Sequence, residues 1–319
     1  MEPSGERARA QLAITRPSGG VVGAVAAAAV LGLASQAGAE EAGAFCELTP
    51  CIPGPVTRIK LTAERKVGAV TCKAGDELGL DTKKRVVFCT TAKVADVDGL
   101  PVAKDAYTLF HPSGRIYQTH ARSTFKRGLA DGSTVLCGSD LVALSDDGTL
   151  RYCKLAGPRA GSPRARVGEG IGFHPGGQIA AMTLDEPYTA AGITLLDGST
   201  AAWDLKGTLL GGYPRDTARV GALSIKYEFE LHPNGKPKLV TLASPAMIQG
   251  QELPASAKLA FRADGSLEAA EYIEKSGFMI HGEPWHDTRH TTFDPAGKIV
   301  TTHVEHYQAH DPPPKFRKR

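Results

Sequence analysis

Apolar and polar residues alternate along most of the chain, and the alternation is broken at short intervals by polar turns that end in glycine. Ile116-Tyr117-Gln118-Thr119 and Ile299-Val300-Thr301-Thr302-His303-Val304 show the two-residue period of half-buried strands. The turns share a form. They read Phe110-His111-Pro112-Ser113-Gly114, Phe173-His174-Pro175-Gly176-Gly177 and Phe293-Asp294-Pro295-Ala296-Gly297, with looser copies ending at Gly148, Gly207, Gly235 and Gly265. Proline sets φ for the first central position of a type I turn. The following Ser, Asn or Asp tolerates the bend, and glycine takes the positive φ that closes a hairpin loop with a bulge.

Successive turn glycines lie 34, 29, 30, 28, 30 and 32 residues apart. An earlier copy, Leu80-Asp81-Thr82-Lys83-Lys84-Arg85-Val86, has Lys84 in the glycine position. Near-constant spacing of one unit is the signature of a repeat architecture. A second turn precedes several tips, as at Val97-Asp98-Gly99 and Ala190-Ala191-Gly192, so a unit holds three or four short strands. The pattern predicts an all-β protein: about seven to eight antiparallel β-hairpin repeats of period near 30, forming an elongated twisted sheet. A small-bladed β-propeller is the alternative. Gly157–Gly172 reads as an irregular loop, and Glu268–Lys275 as strand.

Composition narrows the class. Of 319 residues, 42% are hydrophobic and 22% charged, as in ordinary globular chains, which argues against wholesale disorder. The formal charge of +3 is too small to indicate a nucleic-acid partner. Arg7, Arg9 and Arg16 precede the apolar stretch Val21–Leu33, which leads to Ala37-Gly38-Ala39. This is the layout of an export signal, with cleavage expected after Ala39. No later apolar run approaches a membrane-spanning length. The predicted segments are therefore a signal peptide at 1–39, a lead-in at 40–71 with Ile59, Leu61 and Val67 as first-strand residues, the repeat domain at 72–308, and a Pro-rich basic tail at 309–319.

Six cysteines lie beyond that signal: Cys46, Cys51, Cys72, Cys89, Cys137 and Cys153. An even count in an exported chain points to disulfides and to a periplasmic or extracellular location. Cys89 and Cys153 each lie five residues after a turn-closing position, Lys84 or Gly148. Their partners by position are Cys72 and Cys137, which favours Cys72–Cys89 and Cys137–Cys153, with Cys46–Cys51 as a small loop; pairing across the two copies is the alternative.

The tips at 110–116 and 293–299 resemble the hairpin units of MORN-type repeat proteins and of related antitoxin-like repeat proteins exported by bacteria. The likeness covers roughly residues 75–308. The period is longer than the MORN unit, and the regular Tyr/Trp-x-Gly signature is missing. The resemblance implies an elongated antiparallel array used for binding or as a scaffold, and brings no catalytic residues with it. The same tips are also similar to those of NHL-like propellers.

Candidate chemistry is sparse. No Gly-x-Ser-x-Gly elbow and no Gly-x4-Gly-Lys-Ser/Thr phosphate loop occur. Six of the ten histidines lie at 281–310. Imidazole with carboxylate is the usual ligand set for zinc or copper. His290 and His303 are roughly equidistant from the Gly297 tip, and Glu305 shares a strand face with His303, so His290, His303 and Glu305 are the candidate ligands. His111, His174 and His232 recur at one repeat position before proline, which predicts a role in the turn, bonding the local backbone or stacking on the proline. The sequence thus points to an exported, non-enzymatic binding or scaffold module without a cofactor, whose partner is a protein or another envelope component. The alternative is a metal-binding protein or metal-dependent enzyme that uses the C-terminal histidines.

Overall fold

The computed structural model describes residues 55–129, 132–159, 161–280 and 283–308. The export signal, the Cys46–Cys51 pair and the basic tail lie outside these residues. All regular structure in the described residues is β-strand.

Successive long hairpins follow the chain. They are β4 (Glu77–Leu80) with β5 (Val86–Thr90), β8 (Tyr107–Phe110) with β9 (Ile116–His120), β11 (Thr134–Leu144) with β12 (Leu150–Leu155), and β13 (Gly170–Phe173) with β14 (Ile179–Thr183). Then come β17 (Thr200–Trp203) with β18 (Leu209–Tyr213), β20 (Leu223–Leu231) with β21 (Pro237–Leu242), β24 (Lys258–Phe261) with β25 (Leu267–Ile280), and β26 (Glu283–Phe293) with β27 (Ile299–Gln308). Each turns through the motif read from the sequence. The Gly114 N–H donates to the His111 carbonyl at 2.8 Å, and the His111 N–H donates to the Arg115 carbonyl at 2.8 Å. The same two bonds close the turns at Gly148, Gly177, Gly207, Gly235, Gly265 and Gly297. Lys84 adopts φ of +60° and closes its turn in the same way, so hydrogen bonding holds an ordinary residue in the left-handed region.

Consecutive hairpins pair with one another and build a 19-stranded antiparallel sheet. The ladder starts at β1 (Thr57–Lys60), which pairs with β4 and contains Ile59. It continues through the hairpins in chain order to β27, with β10 (Phe125–Gly128) added on β11 and β19 (Ala218–Val220) on β20. Among the described residues no strand ladder joins β27 to β1, so the sheet is open and the propeller alternative does not describe it. Successive strands pair with the next hairpin directly, and among the described residues no ladder brings the ends together. β13 begins at Gly170, inside the segment predicted to be loop, because Gly170 to Gly172 pair with Lys154 to Tyr152.

A second layer covers one face. Short hairpins, β2 (Arg65–Val67) with β3 (Val70–Cys72), β6 (Ala95–Val97) with β7 (Leu100–Val102), β15 (Tyr188–Ala190) with β16 (Ile193–Leu195), and β22 (Ala246–Ile248) with β23 (Gln251–Leu253), precede long ones. Each sends alternate apolar residues inward, such as Val70, Leu100, Val102, Ile193, Leu195 and Leu253. These meet Leu78, Phe110, Phe173, Trp203 and Phe229 of the sheet in one continuous core. Phe173 and Phe229 are fully buried, each worth roughly 1.5–3 kcal/mol of burial. Cys72 bonds Cys89, tying a short hairpin to the sheet, and Cys137 bonds Cys153 within a long one. Two disulfides are consistent with an oxidising compartment. Among the described residues no helix is long and apolar enough to cross a membrane.

Candidate interaction face

The short hairpins fill the inner face, and the sheet's other face is its outer one. The ladders fix a row of directly opposed residues across it. The row runs Arg58, Gly79, Phe88, Leu109, Gln118, Ala143, Tyr152, Gly172, Ala181, Ala202, Gly211, Glu230, Leu239, Ala260, Ala269, Thr292, Thr301. Its character changes along the sheet. Phe88 and Leu109 of the first strands and Ala143, Tyr152, Ala181 and Ala202 of the middle strands are buried in this row, and its last members are Leu239, Ala260, Ala269, Thr292 and Thr301.

At the first strands Phe88 lies flat over Gly79, where a Cβ would strike its ring. The Arg58 guanidinium stands over the Phe88 ring at 5.5 Å from its centroid, and Tyr107 packs against it at 5.2 Å. Arg58, Lys60, Glu77, Phe88, Thr90 and Tyr107 line an open cleft of about 410 Å³. Tyr107 is 47% exposed, and burial of the remainder raises its phenol pKa. Tyr152 covers Gly170 in the same way, and burial pushes its pKa up to about 12.

Over the last strands the adjacent row reads Thr241, Lys258, Glu271, His290, His303. Lys258 Nζ lies 3.1 Å from a Glu228 carboxylate oxygen and Lys238 Nζ 2.9 Å from Glu230, whereas Arg289, opposite Tyr272, pairs with Glu274 at 2.8 Å on the other face. His290 Nδ1 lies 3.2 Å from Glu271. Burial, with the Glu228 and Glu230 carboxylates beside it, raises the pKa of Tyr213. These pairs are half-exposed and reached by solvent, so each contributes on the order of 1 kcal/mol to folding. The charges are a property of the face rather than a requirement of the fold.

The register sets His290 directly opposite His303, with the rings stacked at 6.4 Å between centroids. Glu305, two residues along the strand and opposite Thr288, lies 3.6 Å from His303 Nε2. Among the described residues no three His, Cys, Asp or Glu side chains gather as a group that could hold a metal ion.

The recurrent turn histidines do something the sequence reading missed. Neither local backbone bonding nor proline stacking is their main contact. His111 Nε2 meets the Leu144 carbonyl at 3.0 Å, His174 Nε2 the Trp203 carbonyl at 2.9 Å, and His232 Nε2 the Phe261 carbonyl at 2.8 Å. A carbonyl only accepts, so each Nε2 carries the proton. Each histidine therefore reaches forward 29 to 33 residues to the base of the following hairpin's turn. Arg262 does the same to the Phe293 carbonyl at 2.6 Å. These clasps lock neighbouring hairpins in a fixed stagger and hold the outer face as one surface. Their recurrence was the available signal; their target lies in the next unit, and only stacking reveals it.

No family model matches the chain, and no curated protein matches it. Among solved structures, the chain is similar at 11% identity to a Tc holotoxin pore from Photorhabdus luminescens, with a TM-score of 0.15. That likeness covers 73% of this chain and 13% of the toxin chain.

Proposed function

We propose that the protein is an exported, non-enzymatic tandem array of MORN-like β-hairpin repeats, about seven to eight of period near 30. It displays the outer sheet face to a protein or other envelope component. The observation that carries this reading is the set of exposed and half-exposed side chains on one face, Tyr107 and Tyr213 with the Lys258–Glu228 and Lys238–Glu230 charges, while the opposite face is closed by its own hairpins. Alternation along each strand assigns one set of side chains to packing and the other to the outer face, where display concentrates on the first and the last strands. The two disulfides support export.

Metal analysis of untagged protein, beside a His290→Ala/His303→Ala variant, tests this against the metal-binding reading, which the facing His290 and His303 rings favour. Substoichiometric zinc and copper in both proteins is the expected result. About one ion per chain, lost in the variant, would replace the scaffold reading with a metal site at β26 and β27.

A further inference from the structure

The sheet is open, and its two edges differ. The β1 edge is four residues long and carries Arg58 and Lys60, cations of the kind that discourage pairing with another strand. The β27 edge is ten residues long and pairs with β26 at nine register positions on its inner side. Glu305 is its only Asp, Glu, Lys or Arg residue, and it has no proline. Ile299 and Val300 at its start are 48% and 63% exposed. Among the described residues no strand pairs with its outer side. A long, regular edge without lysine or proline is a template for strand addition.

We infer that two copies of this chain join edge to edge through β27, antiparallel about a twofold axis at Val304. In that register His303 of each copy stands opposite Glu305 of the other, and Thr302 opposite His306. Each outer row of the dimer then reads Glu271, His290 and His303, followed by Glu305 and Thr288 of the second copy, so carboxylates flank the histidine pair on both sides. Neighbouring registers lack this match. A slip of one residue sets outer-face positions against inner-face positions. A slip of two residues sets either His303 against its own copy or Glu305 against its own copy. A twofold contact of this kind closes on itself and stops at the dimer.

Light scattering on the purified full chain over about 1–100 µM tests the proposal, because mass action makes a dimer grow with concentration. The expected result is a concentration-dependent approach to twice the chain mass. Glu305→Lys should raise the dimer dissociation constant at least about ten-fold, and His303→Glu with Glu305→Lys should restore it to within about three-fold by reversing both pairs. Equal melting temperatures at concentrations low enough that all three are monomeric would show that folding is unchanged. Val300→Lys, at a 63% exposed site opposite Gln308 of the second copy, should weaken the dimer without disturbing the fold. A chain that stays monomeric throughout, a dimer indifferent to Glu305→Lys, or a double variant as weak as the single would each overturn the proposal.

Discussion

Replacing His174 by alanine should destabilise the protein far more than replacing an exposed histidine. His174 is 3% exposed, and its Nε2 donates to the Trp203 carbonyl at 2.9 Å, joining two hairpin turns. The substitution removes that bond and leaves the carbonyl without this donor beside a buried void. An unsatisfied buried acceptor costs about 1–3 kcal/mol. In a chain of this size that corresponds to a melting-temperature fall of about 2–4 °C for each kcal/mol. His111 and His232 make the same bond at partly buried sites, so their alanine variants should lose less. His120, exposed at the end of β9, serves as the control and should move the transition little. Thermal and urea unfolding followed by circular dichroism measure the series. Amide exchange adds a spatial readout, since loss of a clasp should speed exchange in β14 and β17 ahead of β24. Equal effects at His174 and His120 would refute the inter-hairpin role.

Other consequences follow from the same geometry. Removing the Cys72–Cys89 link by paired alanine substitution should cost about 2–4 kcal/mol, because it closes a 17-residue separation, and urea unfolding measures it. Gly212→Ala should destabilise by about 1–3 kcal/mol or more, since a Cβ there strikes the Thr200 carbonyl oxygen; Gly128→Ala, with open space around it, is the neutral comparison in the same melting assay. Asp147 accepts from the Ser145 hydroxyl and the Thr149 N–H, which holds its pKa down at about 2, and the Ser266 hydroxyl and N–H lower that of Asp264. A depressed folded pKa contributes stability above the unfolded value near 3.9 that is lost as pH falls through the folded one, so the urea midpoint should drop between about pH 4 and pH 2. Asp147→Asn should remove part of that drop, and an unchanged acid profile in the variant would contradict the assignment.

The sequence carried the turns because proline, a short polar residue and glycine impose one backbone path wherever they occur together. A turn of fixed form also fixes strand register, so the meeting of His290 and His303 can be counted outward from Gly297. Cys72 and Cys137 occupy equivalent places relative to their turns for the same reason. Other features depend on how one hairpin lies on the next. The reach of His174 to Trp203, the stacking of Phe88 on Gly79, and the pairing of Lys258 with Glu228 join residues that no local pattern relates. The start of β13 at Gly170 was hidden because its glycines signal a loop, whereas their small size serves close packing under Tyr152.

If the outer sheet face engages an envelope component, substitutions on that face must cost binding. Co-sedimentation with envelope fractions measures it directly, comparing a Tyr107→Ser/Lys258→Glu/His303→Glu variant with a Met247→Ser/Lys66→Glu variant on the short-hairpin layer. Met247 is 68% exposed, so the second variant changes the opposite surface without touching the core. The expected result is at least about a ten-fold loss of binding for the outer-face variant and wild-type binding for the other. Equal binding by both variants and the wild type, or loss confined to the short-hairpin variant, would contradict the claim.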